Sequence, residues 1–260
     1  MTALAVSAGR GWGSAWVFLG VLAGQLSVGW SNDWIDRDRD VRAGRDDKPI
    51  VRGEVPARTV GIAAAAALVA CVPLSFASGP KAAGAHLTGV AFAWAYNLRL
   101  KSTVFSAVPY VVAFGLLPSY VTFGLAGSPA APWWATAAGA LLGAGAHFAN
   151  TVPDLATDAR TGVRGLPHRL GLTWSVALAA TFLGAAVVVL ALAPGLDGIA
   201  GASGPAGVAA GVAATAAALV CVAGVVIAGL RGHPQLGWRL TLATAAVAVG
   251  LLIARGASLA

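Results

Sequence analysis

Eight apolar runs, each near the length of a membrane-spanning helix, are separated by short segments that hold nearly all the charge of this 260-residue chain. A helix needs about 20 residues, within a range of roughly 17–25, to cross a hydrocarbon core of about 30 Å. The runs lie at 12–31, 59–77, 83–98, 104–123, 133–150, 172–193, 206–230 and 239–255, and the third is short for a crossing. Only 10% of residues are charged and 58% are hydrophobic, whereas a soluble domain carries roughly 25% charged residues. Mean hydropathy is +0.78. The expected fold is therefore all-α: a polytopic transmembrane helical bundle forming one domain. Abundant Gly and Ala suit close helix–helix approach in lipid, and the Gly-rich stretch 195–205 reads as a loop within the bundle.

A net charge of +7 raises nucleic acid as a partner, but position excludes it. Fourteen of the seventeen basic residues fall on one side of the predicted membrane, in segments such as Arg37 to Arg58, leaving Arg10, Lys81 and Arg255 opposite. By the positive-inside rule that side is cytoplasmic and both termini lie outside. Cys71 and Cys221 stand alone in apolar runs, without metal-ligand spacing or a disulfide framework, and read as small core residues. No removable signal peptide is evident, since Arg10 is a lone charge before a long apolar run.

Nine of the ten acidic residues share the basic side, with Asp197 the exception. Topology has no need for carboxylates, so these require a separate cause. Two segments repeat a pattern. Asn32 to Gly44 and Asn150 to Gly162 both read N-x3-D-x3-D-x-R-x-G, 118 residues apart. Each ends the first of four spans. The chain thus reads as two four-helix halves, 12–123 and 133–255, in one orientation, a parallel repeat that places a binding site at its interface.

Residues at i, i+4 and i+8 share a helix face. Asn32, Asp36 and Asp40 are therefore expected to project together, as are Asn150, Asp154 and Asp158. Carboxylates at that spacing repel one another, and a divalent cation turns the repulsion into a site. Mg2+ prefers oxygen ligands and is typically held by one or two carboxylates plus substrate phosphates. Two such clusters facing one cavity suit a diphosphate bridged by Mg2+. Ordinary solvated helix ends are the plainer alternative, weakened because the pattern occurs twice, in phase and on one side.

These motifs carry a resemblance. Asn32 to Asp40 (NDWIDRDRD) matches the NDxxDxxxD signature of the UbiA superfamily of membrane-embedded prenyltransferases, and Asp154 to Asp158 (DLATD) its second DxxxD motif. Asp47-Lys48-Pro49 to Gly53 is similar to that family's RP-x-x-x-G element, with Lys48 where arginine is usual. Tyr96-Asn97 to Lys101 resembles its Tyr…Lys element after the fourth helix. The resemblance implies nine helices, one of them before the helix that carries the first motif. Here eleven residues precede that span, so either the start is assigned too late or the protein works without that helix, which would line one wall of the cavity.

What the resemblance implies is Mg2+-dependent transfer of a prenyl group from an isoprenyl diphosphate donor, within the membrane lipid, to a hydrophobic acceptor, most often an aromatic or quinone-precursor one. The alternatives are a related enzyme that alkylates a non-aromatic lipid or cyclises the diphosphate, and a non-enzymatic carrier or scaffold. Metal ligands would be Asn32, Asp33, Asp36, Asp40, Asp154 and Asp158, with Asp36 and Asp154 also catalytic. Asp38 lies off the stripe. Fixed cations stabilise a departing diphosphate, for which Arg99 and Lys101 are catalytic candidates, and Arg42 and Lys48 binding candidates; plain membrane anchors are the alternative. Asn32, Tyr96, Asn97, Asn150 and His147 are further substrate-binding candidates, His147 to orient an acceptor or take a proton. Trp30, Trp34, Trp94 and Tyr96 lie near the motifs and suit a carbocation. His168 and His233 read as loop residues, and His86 lies towards the other side.

Overall fold

The structure, a computed structural model, describes residues 1–192 and 205–259, and among these all regular secondary structure is helical. The stretch 193–204, which contains Asp197 and nearly all of the expected Gly-rich loop, lies outside the described residues. The helices are α1 (Thr2–Ser7), α2 (Gly13–Ala43), α3 (Ala57–Phe76), α4 (Pro80–Leu98), α5 (Val108–Thr122), α6 (Trp133–Thr151), α7 (Leu155–Arg160), α8 (Leu166–Leu192), α9 (Pro205–Leu230) and α10 (Pro234–Ala254). The all-α bundle is as expected. Among the described residues five helices, α2, α3, α8, α9 and α10, contain a stretch long and apolar enough to cross a membrane, so the expected count of eight is not confirmed; α5 is apolar but has 15 residues. The third run, short by hydropathy, is extended by the helix start at Pro80 to 19 residues.

Consecutive helices pack on one another from α2 to α6 and, beyond α7, from α8 to α10, while α6 also packs on α8 and α10. Short α1 touches α2, α5 and α10, and its Leu4 and Ala5 are buried in the main core with Val17, Tyr120, Trp134, Leu183, Leu190 and Leu251. Most of these positions sit at helix ends away from the charged loops, so the bundle is tightly filled there. Cys71 is fully buried, as expected, whereas Cys221 is half-buried. His86, on that same side, lies 2.7 Å from Ser75 Oγ through Nδ1.

α5 and α6 approach closely beside the cavity. Gly139 and Gly143 form a GxxxG pair on α6, and a Cβ on Gly139 would lie 2.5 Å from the Phe114 carbonyl oxygen. One on Gly143 would fall on the Tyr110 carbonyl oxygen. Small residues at this spacing let backbones approach, which fixes where Tyr110 and Phe114 stand. Gly143→Leu should therefore cost at least about 1–3 kcal/mol of stability, visible as a lowered melting temperature in detergent. An unchanged melt would mean the two helices part freely.

Candidate functional site

The first motif lies on one unbroken helix. α2 runs twelve residues beyond the apolar segment 12–31, so Asn32, Asp36 and Asp40 do share a face. Gly44 then ends the helix at φ 66°, a left-handed turn that glycine adopts without strain. The turn doubles the chain back, with the Arg45 N–H donating to the Asp40 carbonyl at 3.1 Å. The second motif repeats the device: Gly162 has φ 90° and the Val163 N–H donates to the Asp158 carbonyl at 2.9 Å.

Between Asn150 and Asp158 the expected continuous helical face is corrected. Pro153 lacks an N–H and so removes an intrahelical hydrogen bond; here α6 stops at Thr151, residues Val152–Asp154 form a 3-10 turn, and α7 begins at Leu155. Asn150, Asp154 and Asp158 nevertheless line one cavity together with Asn32 and Asp33.

That cavity, about 730 Å³, opens at the end of the bundle that holds the charged loops. Its polar mouth carries the acids just named with Arg39, Arg45, Lys48, Lys101 and His168; its deeper wall carries Tyr96, Asn97, Tyr110, Phe114 and His147. Asp36 and Asp40 stand behind the mouth, 4% and 0% exposed, screened by cations. Asp36 accepts hydrogen bonds from Lys101 and, at 2.7 Å, from Arg39. Lys48 bridges Asp33 at 2.8 Å and Asp40 at 2.7 Å. Arg45 reaches across to the second motif, 2.8 Å from Asp154, with Asp40 at 3.8 Å on its other side. Burial pulls the Lys101 ammonium below the ordinary lysine value despite Asp36. For Lys48, burial also pulls down, but hydrogen bonds and charge from Asp33 and Asp40 outweigh it and hold the ammonium above its usual value.

Not every candidate reaches the cavity. Arg42 and Arg99 are exposed and absent from its wall, and the buried Asp36 and Asp40 do not line it either. Arg42 is two residues from Asp40 and so points off the stripe. Arg99 is where α4 breaks, and the following 3-10 turn carries Lys101 inward instead. Asn97 lines the wall, yet its amide donates to the Val28 carbonyl at 2.8 Å and to Ser31 Oγ at 2.9 Å, bracing α4 on α2. Trp30 is on the wall; Trp34 packs over Gly61, and the Trp94 indole donates to Ser27. His168, read as a loop residue, is instead on the first turn of α8, on the wall and 3.5 Å from Asp158. Arg39, Arg45, Tyr110 and Phe114 join it as residues the motif spacing did not bring forward.

The donor set suits Mg2+ by its own chemistry. It consists of carboxylate and amide oxygens, which suit a hard cation, and Asp40 Oδ1 is buried with no hydrogen-bond partner. Among the described residues no three acidic, histidine or cysteine side chains converge closely enough to hold a metal alone. Lysine and arginine stand between the acids, so phosphate oxygens must complete a coordination shell, as is usual for Mg2+. The residues fit on that condition.

Residues 1–223 match the UbiA prenyltransferase family. The chain is a member of that family. The Bacteriochlorophyll synthase 33 kDa chain of Cereibacter sphaeroides is 33% identical over 199 residues, which are 71% of this chain and 65% of that one. The alignment thus spans just under two thirds of the length of that relative. Two solved structures share the fold across nearly the whole chain. A UbiA homolog from Aeropyrum pernix K1 superposes with a TM-score of 0.68 at 19% identity, covering 96% of this chain and 95% of that one. A UbiA homolog from Archaeoglobus fulgidus bound to GPP and Mg2+ gives 0.65 at 18% identity, covering 99% and 93%. Family and apolar helices together make this UbiA-family chain an integral membrane protein.

Proposed function

We propose that this chain transfers a prenyl group from an isoprenyl diphosphate, held with Mg2+, to an aromatic or quinone-precursor acceptor inside the membrane. The observation that carries the reading is the cavity itself: carboxylates from two motifs and four cations meet at its mouth, over a wall of aromatic rings. The halves 12–123 and 133–255 are read as a parallel repeat, because α2, α4 and α5 supply one side of the wall and α6 to α8 the other. The mouth faces the cytoplasm by the distribution of basic residues.

Asn32, Asp33, Asp36 and Asp40 from the first motif, with Asp154 and Asp158 from the second, would hold the metal. When bound, Mg2+ neutralises charge that develops on a departing diphosphate. Lys48, Lys101, Arg39 and Arg45 add fixed positive charge at the same end, where it needs no reorganisation as the bond breaks. Tyr96, Tyr110 and Phe114 exclude water and present ring faces to an allylic cation. The acceptor nucleophile attacks the carbon that loses diphosphate, and its proton leaves to solvent or to the diphosphate.

The direct test is incubation of purified protein with Mg2+ and prenyl diphosphates of several lengths, without acceptor and then with phenolic acids and naphthoates. Prenylated acceptor masses are the expected result. A cyclic hydrocarbon formed without acceptor would replace transfer by cyclisation, and no consumption of any diphosphate would point to a carrier or scaffold. A binding test is independent of turnover. Pyrophosphate at about 100 times its Kd should stabilise the protein by about 2.7 kcal/mol when Mg2+ is present, and far less in EDTA. Equal protection in EDTA would mean that the lysines and arginines bind the anion alone.

A further inference from the structure

His147 projects from α6 onto the cavity wall and is 2% exposed, its ring centroid 5.9 Å from that of Tyr96 and 5.1 Å from that of Tyr110. Its two nitrogens have different partners. Nε2 lies 3.1 Å from Ser106 Oγ, and that same oxygen accepts the Leu166 N–H at 2.9 Å. Ser106 is fully buried, and among the described hydrogen bonds His147 Nε2 is the acceptor within reach of its hydroxyl proton. The serine therefore donates to Nε2, which leaves the proton of the neutral imidazole on Nδ1. Nδ1 is buried with no hydrogen-bond partner. Ser106 is not part of the cavity wall and His147 is, so Nε2 sits on the far side of the ring and Nδ1 on the nearer side, just beneath the cavity surface. Buried donors are rarely left unpaired, and an exception calls for a cause.

We propose that the His147 Nδ1–H recognises the acceptor substrate, donating a hydrogen bond to an oxygen lone pair carried on a planar conjugated ring. This deepens the reading of the cavity as a prenyl-transfer site and rests on it. The position suits an acceptor more than the donor's diphosphate. His147 lies one turn before Asn150, deeper than both acidic motifs, and shares the wall with Tyr96, Tyr110 and Phe114. Tyr110 and Phe114 lie nearly parallel, 11° apart, and give a flat ring something to lie against. Ser106 acts through the histidine as a positioning residue, fixing the tautomer from a loop that also anchors the start of α8 through Leu166.

Two substitutions separate recognition from bracing. Asparagine places its amide nitrogen where Nδ1 stands and loses the Ser106 contact; glutamine reaches Ser106 and loses the donor at Nδ1. Wild type, His147→Asn and His147→Gln would be titrated with 1,4-naphthoquinone as the oxygen-bearing probe and naphthalene as its oxygen-free counterpart. Infrared difference spectra would follow the quinone carbonyl stretch. The expected result is a downshifted carbonyl band in wild type and His147→Asn, its loss in His147→Gln, and quinone affinity lowered roughly ten- to hundred-fold in His147→Gln. Naphthalene should bind all three alike, and stabilisation by pyrophosphate with Mg2+ should persist in both variants, showing that they fold. An unshifted carbonyl in wild type, or wild-type quinone affinity in His147→Gln, would overturn the proposal. Failure of prenyl transfer shows separately, as absence of prenylated product, and leaves the spectra to decide the role of His147.

Discussion

Asp36→Asn and Asp154→Asn should each lower turnover by about 10³-fold or more, because in the proposed site each removes a charge that a different motif supplies to metal and diphosphate. Their effects on stability should differ. Asp36 is buried between Lys101 and Arg39, so neutralising it leaves two cations facing an amide and should cost about 3–5 kcal/mol. The Asp154 side chain is 43% exposed and holds Arg45 at the mouth. A pair that open to water contributes about 0–1 kcal/mol, and Asp154→Asn should melt almost as wild type does. Turnover assays alongside thermal melts therefore separate loss of chemistry from loss of fold. Near-normal turnover in either variant would remove the two-motif site.

The acids were legible in the sequence because a repulsive spacing occurs twice; a shared helix face places those of the first motif, while those of the second reach the same cavity across the 3-10 turn at Val152–Asp154. The cations were harder to read. Arg39 carried a signal in its spacing of three from Asp36, but Arg45 faces both motifs only because Gly44 turns the chain back, a tertiary consequence of one residue's φ. Helix ends misled in a systematic way. Hydropathy reports where lipid contact stops, not where hydrogen bonding stops, so α2 outran its apolar run by twelve residues and α8 began six before its own. His168 was hidden by the second of these errors, since Gly171, at φ 79°, kinks α8 where the apolar run starts. Tyr110 and Phe114 carry no motif at all. Their place depends on Gly139 and Gly143 of the neighbouring helix, which a pass along the chain reads as generic small residues.

Lys101→Met should lower turnover roughly 10²–10³-fold and also destabilise the protein. The ammonium hydrogen-bonds Asp36 with both side chains nearly closed to solvent, 11% and 5% exposed. Removing one partner of a buried pair typically costs about 3–5 kcal/mol, and the lower end applies here because Arg39 stays on the other carboxylate oxygen at 2.7 Å. The companion test is the double variant Asp36→Asn with Lys101→Met. With both charges gone, the desolvation that each imposed on the other is relieved, so the double variant should be more stable than additivity of the two single variants predicts. The expected coupling is about 1–3 kcal/mol. Turnover should not recover with it, since on the proposed reading the double variant lacks both a metal ligand and a cation at the diphosphate end. Additive stability losses would mean that Lys101 and Asp36 do not act as a pair. Recovery of turnover would mean that their charges serve the fold and not the reaction.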